Sequence, residues 1–291
     1  MVALGPLHWA YLGGEFLPLS AARISPLDRG FLFADGVYEV IPVYAGRPFL
    51  FVEHCTRLAR SLDAIRLRIP YDIDRWRAIV GSLIERNGGG DMYVYLQVTR
   101  GAEHGRNPAP LPASHTVFAF CAPLPIASAE RRRDGIACIT ASDPRWARCD
   151  IKSVALLPNV LLRQQALDAG ANEAILLRDG LLTEGTSSTV HAVLDGALVA
   201  PPESPRILPG TTRTVVAELA RRCGIRYRSA EISAAQLRSA PEILLASALR
   251  EIDAVTTLDG AAVGSGVPGP CYRQLRAAFD DLKRELRGTS W

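Results

Sequence analysis

Apolar and polar residues alternate, then give way to a three-to-four-residue spacing, and this divides the first third of the chain into strands and helices. Residues 8–12 and 16–19 flank Gly13-Gly14-Glu15, a glycine turn that predicts a hairpin. The β-branched and aromatic residues over 37–44 predict a strand, and Ala45-Gly46-Arg47 a turn into a second strand over 48–52. From Glu53 the spacing becomes helical through Leu58, Leu62 and Ile65. Asp72 reads as the N-cap of a further helix carrying Ile73, Trp76, Ile79, Val80 and Leu83, stopped by Gly88-Gly89-Gly90. Residues 92–99 and 115–121 read as buried strands.

Ala122-Pro123-Leu124-Pro125 is the best linker candidate, since two prolines break helix and sheet pairing alike. Beyond it the pattern predicts a strand over 135–140, a loop through Trp146 to Lys152, and a helix over 159–169 closed by Gly170. Strand pairs follow over 173–177 with 181–184 and over 189–194 with 197–199. Leu208-Pro209-Gly210 leads into a strong helix over 211–223; a strand over 243–246, a hairpin and a C-terminal helix over 272–286 complete the chain. Strands and helices are mixed in both halves and hairpins dominate, which predicts an α+β fold rather than a doubly wound parallel sheet. A length of 291 residues suits two domains. They are read as a smaller N-terminal domain over 1–121, a linker over 122–128 and a larger C-terminal domain over 129–291. No internal repeat and no glycine-rich nucleotide fingerprint is found.

Composition narrows the class of protein. Hydrophobic residues make up 48% and charged residues 22%, as in an ordinary soluble enzyme. A formal charge of +3, with arginines scattered rather than blocked, gives no footprint for nucleic acid. Six cysteines lie far apart with no CxxC pair, which favours reduced thiols in a cytoplasm and gives no metal-ligand spacing. The N-terminus lacks the basic start and apolar core of a signal peptide. No apolar run approaches the roughly 20 residues a membrane helix needs.

One lysine stands out. The thirty-three basic residues are overwhelmingly arginine, and Lys152 in Cys149-Asp150-Ile151-Lys152-Ser153 is followed by Val154-Ala155-Leu156-Leu157. An apolar flank of this kind would desolvate the ammonium and favour the neutral, nucleophilic amine. Taken alone, a surface charge remains the simpler reading.

The lysine segment, followed by Thr183-Glu184-Gly185-Thr186-Ser187-Ser188, resembles the paired signature of fold-type IV pyridoxal-phosphate enzymes, and the D-amino-acid aminotransferase group in particular. Phe33-Ala34-Asp35-Gly36-Val37-Tyr38-Glu39-Val40, His54-x-x-Arg57-Leu58 and Leu208-Pro209-Gly210-Thr211-Thr212-Arg213 fall in that family's order, and the similarity runs from about Tyr11 to the C-terminal helix. The resemblance implies pyridoxal 5′-phosphate as cofactor and Lys152 as its covalent anchor and proton shuttle. It implies that Glu184 faces the pyridine nitrogen, with a turn glutamate as the alternative. Arg57, Thr211 and Thr212 are implied as phosphate ligands, with helix-surface and N-capping roles as the bland alternatives; Ser187 and Ser247 complete the cofactor-binding set. A homodimer is also implied, because active sites in this family borrow residues across the interface. Tyr38 resembles the tyrosine lining the substrate-carboxylate side.

The chain departs from the pattern in three places. The family's Arg-x-His carboxylate trap follows a Val-Thr-Arg-Gly strand; here Val98-Thr99-Arg100-Gly101 leads to Ala102-Glu103-His104-Gly105-Arg106-Asn107, so Arg106 is displaced by one residue and His104 lies further off. In Leu245-Ala246-Ser247-Ala248-Leu249-Arg250 the family's threonine is Ala248, a loss of one phosphate hydrogen bond worth roughly 1 kcal/mol. Arg250 is an added charge there, read as a second carboxylate anchor or as a strand-end charge. Pro42 replaces a basic residue on the substrate-side strand. The reaction implied is transamination of D-amino acids such as D-alanine with a 2-oxo acid such as 2-oxoglutarate. Leu157 stands where the branched-chain L-enzymes place a tyrosine, and Tyr38-Glu39-Val40 resembles the D-enzymes. Branched-chain L-aminotransferase or amine transaminase activity is the alternative. An aminodeoxychorismate lyase is less favoured, lacking its Phe-Thr-Thr stretch, as is a non-catalytic protein that kept the fold.

Overall fold

The computed structural model describes residues 7–102, 106–109 and 115–288. Contacts divide the chain into two compact units. The first comprises Met1–Pro125, Ile151–Ala155 and Leu286–Trp291, and the second Ile126–Asp150 and Leu156–Glu285.

In the first unit, β1 (Trp9–Leu12), β2 (Glu15–Pro18), β3 (Gly36–Tyr44), β4 (Arg47–Pro48), β5 (Met92–Thr99) and β6 (Thr116–Pro123) form one antiparallel sheet in the order β2-β1-β6-β5-β3-β4. Helices α1 (Arg29–Phe33), α2 (Phe51–Ala64) and α3 (Ile73–Arg86) complete it. Alternation puts Val37, Ile41 and Val43 of β3 on the covered face. There they join Leu58 and Leu62 of α2, and Trp76, Ile79 and Leu83 of α3, in one apolar cluster. Asp72 does cap α3, its carboxylate accepting from the Arg75 N–H at 2.8 Å. The strand predicted over 48–52 ends at Pro48. Leu50 takes a left-handed conformation (φ 55) and turns the chain into α2, while Phe49 and Phe51 on either side of it are buried. Their apolar character reflects a packed corner rather than a pleat.

The second unit contains β7 (Ile136–Ser142), β8 (Glu173–Arg178), β9 (Leu181–Gly185), β10 (Thr189–Leu194), β11 (Ala197–Ala200), β12 (Arg226–Ser229), β13 (Ile243–Ser247), β14 (Glu251–Leu258) and β15 (Ala261–Ala262). Its sheet runs β12-β11-β10-β13-β14-β7-β8-β9, with β15 on β14. β7 lies parallel to β14 and β8, and β12 parallel to β11; the other pairs are antiparallel. Helices α4 (Ala129–Asp134), α5 (Leu157–Asp168), α6 (Thr211–Arg222), α7 (Ala234–Ser239) and α8 (Pro270–Arg287) accompany it. Short α4 and α7, which periodicity does not reveal, are each started by a serine cap, Ser128 and Ser233. The mixed helices and two separate sheets are α+β.

Two local features differ from the sequence reading. β6 continues through Ala122 and Pro123, paired with Tyr93 and Met92; a proline in the last ladder position removes only a terminal donor. The lysine segment, placed by sequence in the C-terminal half, groups with the first unit, because it adds to the free edge at the start of β3. Tyr38 N–H donates to the Lys152 carbonyl (3.0 Å) and Val154 N–H to the Gly36 carbonyl (3.1 Å). Among the described residues no helix is long and apolar enough to cross a membrane.

Candidate active site

The first unit gathers Tyr38, Arg57 and Lys152. Lys152 sits in an extended segment whose backbone is fixed on both sides, by β3 and by a bond from its own N–H to Ser61 Oγ (3.3 Å) on α2. Its Nζ lies 4.3 Å from the centroid of the Tyr38 ring, which stacks on Tyr95 at 5.7 Å. Tyr38 is thus a half-buried wall beside the amine. Of the lysine's apolar flank, Ile151 is buried, and Leu156 and Leu157 are 36% and 68% exposed.

Arg57 is buried on α2, and its fork meets a carboxylate of the same unit. Nε donates to Glu39 Oε1 (2.7 Å) and Nη2 to Glu39 Oε2 (2.8 Å). His54, one turn earlier, meets Glu39 Oε2 through Nδ1 at 2.7 Å. Burial opposes ionisation of Glu39, but the charge and hydrogen bonds of Arg57, with His54, overcome it and hold the carboxyl at about 2. Burial depresses the pKa of His54, and Glu39 offsets this only partly. Glu39 and His54 escaped sequence reasoning as functional residues. A signal existed: Glu39 occupies an inward position between Val37 and Ile41, and His54, Arg57 and Ser61 lie on the covered face of α2.

Arg106 is exposed, its guanidinium 5.0 Å from the Phe33 ring centroid. Arg29, buried beneath, donates to the carbonyls of Asn107 (2.6 Å) and Pro108 (3.0 Å) and to Asp35 (2.9 Å), so the strand-end loop is tied down immediately after Arg106. His104 and Gly105 lie outside the described residues.

The second unit gathers Glu184, Ser187, Thr211, Thr212, Ser247 and Arg250. Glu184, at the end of β9, is buried; Arg145 Nη1 donates to its Oε1 and the Leu208 N–H to its Oε2 (3.1 Å). Arg145 is itself held by Asp143 (Nε 2.9 Å, Nη2 2.8 Å), which also accepts from Thr183 Oγ1 (2.9 Å). Burial raises the Glu184 carboxyl above its ordinary value, and Arg145 opposes this without cancelling it. Arg145 lies 39 residues from Glu184, with Asp143 further still, and no local pattern announces either.

At the start of α6, Gly210 is the N-cap and supplies no side-chain cap, while Thr211 and Thr212 are buried. A Cβ on Gly210 would meet Thr189 Oγ1 at 2.7 Å, so the chain is bare where the helix begins. Backbone N–H groups and the positive helix end suit an anion there. Ser247 closes β13, its Oγ accepting from the Arg250 N–H (3.4 Å). Arg250, offered by sequence as a carboxylate anchor, is engaged within the unit: Nη2 donates to Glu173 Oε2 (2.5 Å) and Nη1 to Asp253 Oδ2 (3.4 Å). Ser187 Oγ is exposed and donates to Glu173 Oε2 at 3.3 Å.

Residues 36–258 match the family model for amino-transferase class IV, and the chain belongs to that family. A D-alanine aminotransferase of Bacillus licheniformis is 37% identical over 268 residues, covering 92% of this chain and 94% of that protein. Among solved structures, the Escherichia coli branched-chain amino acid aminotransferase superposes with a TM-score of 0.90 at 25% identity, covering 98% of this chain and 97% of that one. The T.th. branched-chain amino acid aminotransferase with pyridoxamine 5′-phosphate gives 0.88 at 25% identity, covering 96% and 95%. The protein is an aminotransferase.

Proposed function

We propose that the chain is a pyridoxal-phosphate-dependent aminotransferase that moves the amino group of D-amino acids such as D-alanine to a 2-oxo acid such as 2-oxoglutarate. The observation that carries this reading is Lys152, an amine fixed through its own backbone to β3 and set beside the Tyr38 ring. The similarity to D-alanine aminotransferase supports the substrate class, and the pyridoxamine 5′-phosphate of a structural neighbour supports the cofactor.

The residues present fit such a cofactor. Glu184 is a carboxylate whose burial outweighs its one cationic partner, so a further cation such as a protonated ring nitrogen would stabilise its ionised form. The uncapped start of α6 suits a phosphate. When bound, the cofactor supplies an electron sink for the pair left as the substrate Cα loses its proton. Lys152 Nζ would hold the cofactor and, when free of it, would carry the substrate Cα proton. Glu184 would keep a proton on the ring nitrogen. Thr211, Thr212 and Arg57 would hold phosphate, Arg57 being oriented by Glu39, and Ser187 and Ser247 would add hydroxyls. Tyr38 and Arg106 serve the substrate side, Arg106 toward its carboxylate.

We further propose a homodimer in a reducing cytoplasm. The apolar, exposed face of α5 supports the first, and six free cysteines the second. The test of substrate class is stereospecific amino transfer. Purified holoenzyme given D-alanine and 2-oxoglutarate should yield D-glutamate, and L-leucine or L-valine should give none. Transfer from the L-forms alone would move the protein to the branched-chain reading, which the structural neighbours also fit. Lys152→Ala should abolish turnover; normal turnover by this variant would rule out the lysine.

A further inference from the structure

Glu173 at the start of β8 has no exposed surface, takes no role in the transamination reading above, and stands at the centre of a hydrogen-bond network. Its Oε1 accepts from the Thr186 N–H (3.2 Å) and the Thr186 hydroxyl, and its Oε2 from the Ser187 hydroxyl (3.3 Å) and the Arg250 guanidinium (2.5 Å). Thr186 and Ser187 are the residues immediately beyond Glu184-Gly185. Asn159 of α5 holds the Thr186 carbonyl at 2.7 Å, and Thr186 N–H also reaches the Ala174 carbonyl at 3.1 Å. The turn that follows Glu184 is therefore pinned on its side-chain side by one buried carboxylate, with backbone support from Asn159, Ala174 and its own Gly185 N–H to Ser188 carbonyl bond (2.7 Å).

That carboxylate has one cation donating to it among the described residues, Arg250. Asp253, the other acidic partner of Arg250, is served independently by Arg131 through Nε (3.1 Å) and Nη2. Moving Arg250 away would leave Asp253 compensated and Glu173 buried without the cation that hydrogen-bonds to it, Arg163 acting on it only through space, which is the costly half of a broken buried pair. Arg250 is also fixed from its own backbone: it lies in the short turn between the paired Ser247 and Glu251, its N–H on Ser247 Oγ.

We propose that Arg250 is a positioning residue, which through Glu173 locks the Thr186–Ser187 turn and so holds Glu184 and Ser187 in register for the cofactor, and that it does not receive a substrate carboxylate. This rests on the cofactor reading above. Three variants test it with the holoenzyme: Arg250→Met, Arg250→Lys and the double Glu173→Gln/Arg250→Met. Readouts are cofactor affinity and visible circular dichroism without substrate, then the split between KM and kcat.

Arg250→Met should weaken cofactor binding about tenfold or more and change the dichroism, as expected when a charge-assisted bond is lost and a buried acceptor is left without its cation. Its kcat should fall while the KM for the amino donor moves less than about threefold. Arg250→Lys should recover most of the loss. The double variant should bind the cofactor better than Arg250→Met alone, because the neutral amide no longer needs a cation. Wild-type cofactor affinity and dichroism in Arg250→Met would overturn the proposal, whether KM rises about a hundredfold, which marks a carboxylate receptor, or nothing changes at all. Should Arg250→Met fail to fold, Arg250→Lys against the double variant decides: a folded double variant that binds the cofactor more weakly than Arg250→Lys and has altered dichroism supports the lock, and a double variant with wild-type cofactor affinity and dichroism overturns it. Failure of the wild-type protein to take up the cofactor at all would instead refute the reading on which the proposal rests.

Discussion

His191 of β10 is wholly buried, and neither ring nitrogen has a hydrogen-bond partner; its ring centroid lies 6.0 Å from that of Tyr227. Burial, reinforced by Arg213, lowers its pKa from 6.5 to about 3. Between those values the unfolded chain binds a proton that the folded protein refuses. The stabilisation is complete above about 6.5 and is lost as pH falls toward 3, at about 1.4 kcal/mol per pH unit. Replacing His191 with Phe, which keeps an aromatic ring and discards the titration, should flatten the fall of the melting temperature with acid across that window; an unchanged slope would show that other groups set it. At Glu39 the expectation differs, because the residue is charged when folded. Glu39→Gln removes the carboxylate that Arg57 meets through both Nε and Nη2 and should destabilise by about 3–5 kcal/mol in denaturant unfolding. The double change Glu39→Met/Arg57→Met should be more stable than Glu39→Gln while binding the cofactor less well than the wild type. A double variant that binds normally would remove Arg57 from the phosphate set.

At the scale of elements, the start of α6 is the place where local structure and proposed chemistry coincide. Gly210 has an ordinary φ of −71°, so alanine fits the backbone there; the obstacle is Thr189 Oγ1 at 2.7 Å from the added Cβ. Gly210→Ala should cost about 1–3 kcal/mol through this overpacking and lower cofactor affinity more than a comparable substitution at an exposed helix position. Unchanged affinity would argue against this helix end as the phosphate cradle. The elements themselves were legible where periodicity or a cap was strong: the alternation of β3, the Asp72 cap of α3 and the glycine stop after it. They were hidden where a tertiary contact overrode local preference, as at Leu50, whose left-handed turn converts an apolar run into a corner, and in α4 and α7, too short to show a period. The site shows the same division. Lys152, Glu184 and the Thr211-Thr212 pair were readable as motifs. The partners Glu39, Arg145 and Glu173 were not, since they meet Arg57, Glu184 and Arg250 across 18, 39 and 77 residues of chain. Arg250 was noticed as an anomaly and read as a carboxylate anchor or a strand-end charge, because sequence shows a charge without showing the carboxylates it meets, Glu173 and Asp253.

For the molecule as a whole, the decisive surface is one face of α5. Leu157, Val160, Leu161 and Leu167 are 68%, 59%, 62% and 52% exposed, and spacings of three, four and seven residues put them on a single stripe of the helix. The opposite side supplies Leu162 and Ala166 to the apolar cluster with Ala174 and Leu176 of β8, so α5 is anchored and its outward apolar face is not a folding defect. Large apolar side chains exposed along one stripe are of the kind that marks an association site, and a twofold dimer would bury the same stripe from both copies. The double change Leu157→Glu/Leu161→Glu sets carboxylates in the patch without touching Leu162 or Ala166. It should convert the protein from dimer to monomer in sedimentation velocity while far-ultraviolet circular dichroism stays that of the folded chain. If the loop carrying Arg106 acts in trans, turnover should fall with the dimer fraction and recover as protein concentration is raised in a weaker single variant such as Leu161→Glu. A wild-type protein that sediments as a monomer with full turnover would refute the dimer, and a charged α5 that leaves the dimer intact would place its interface on another face.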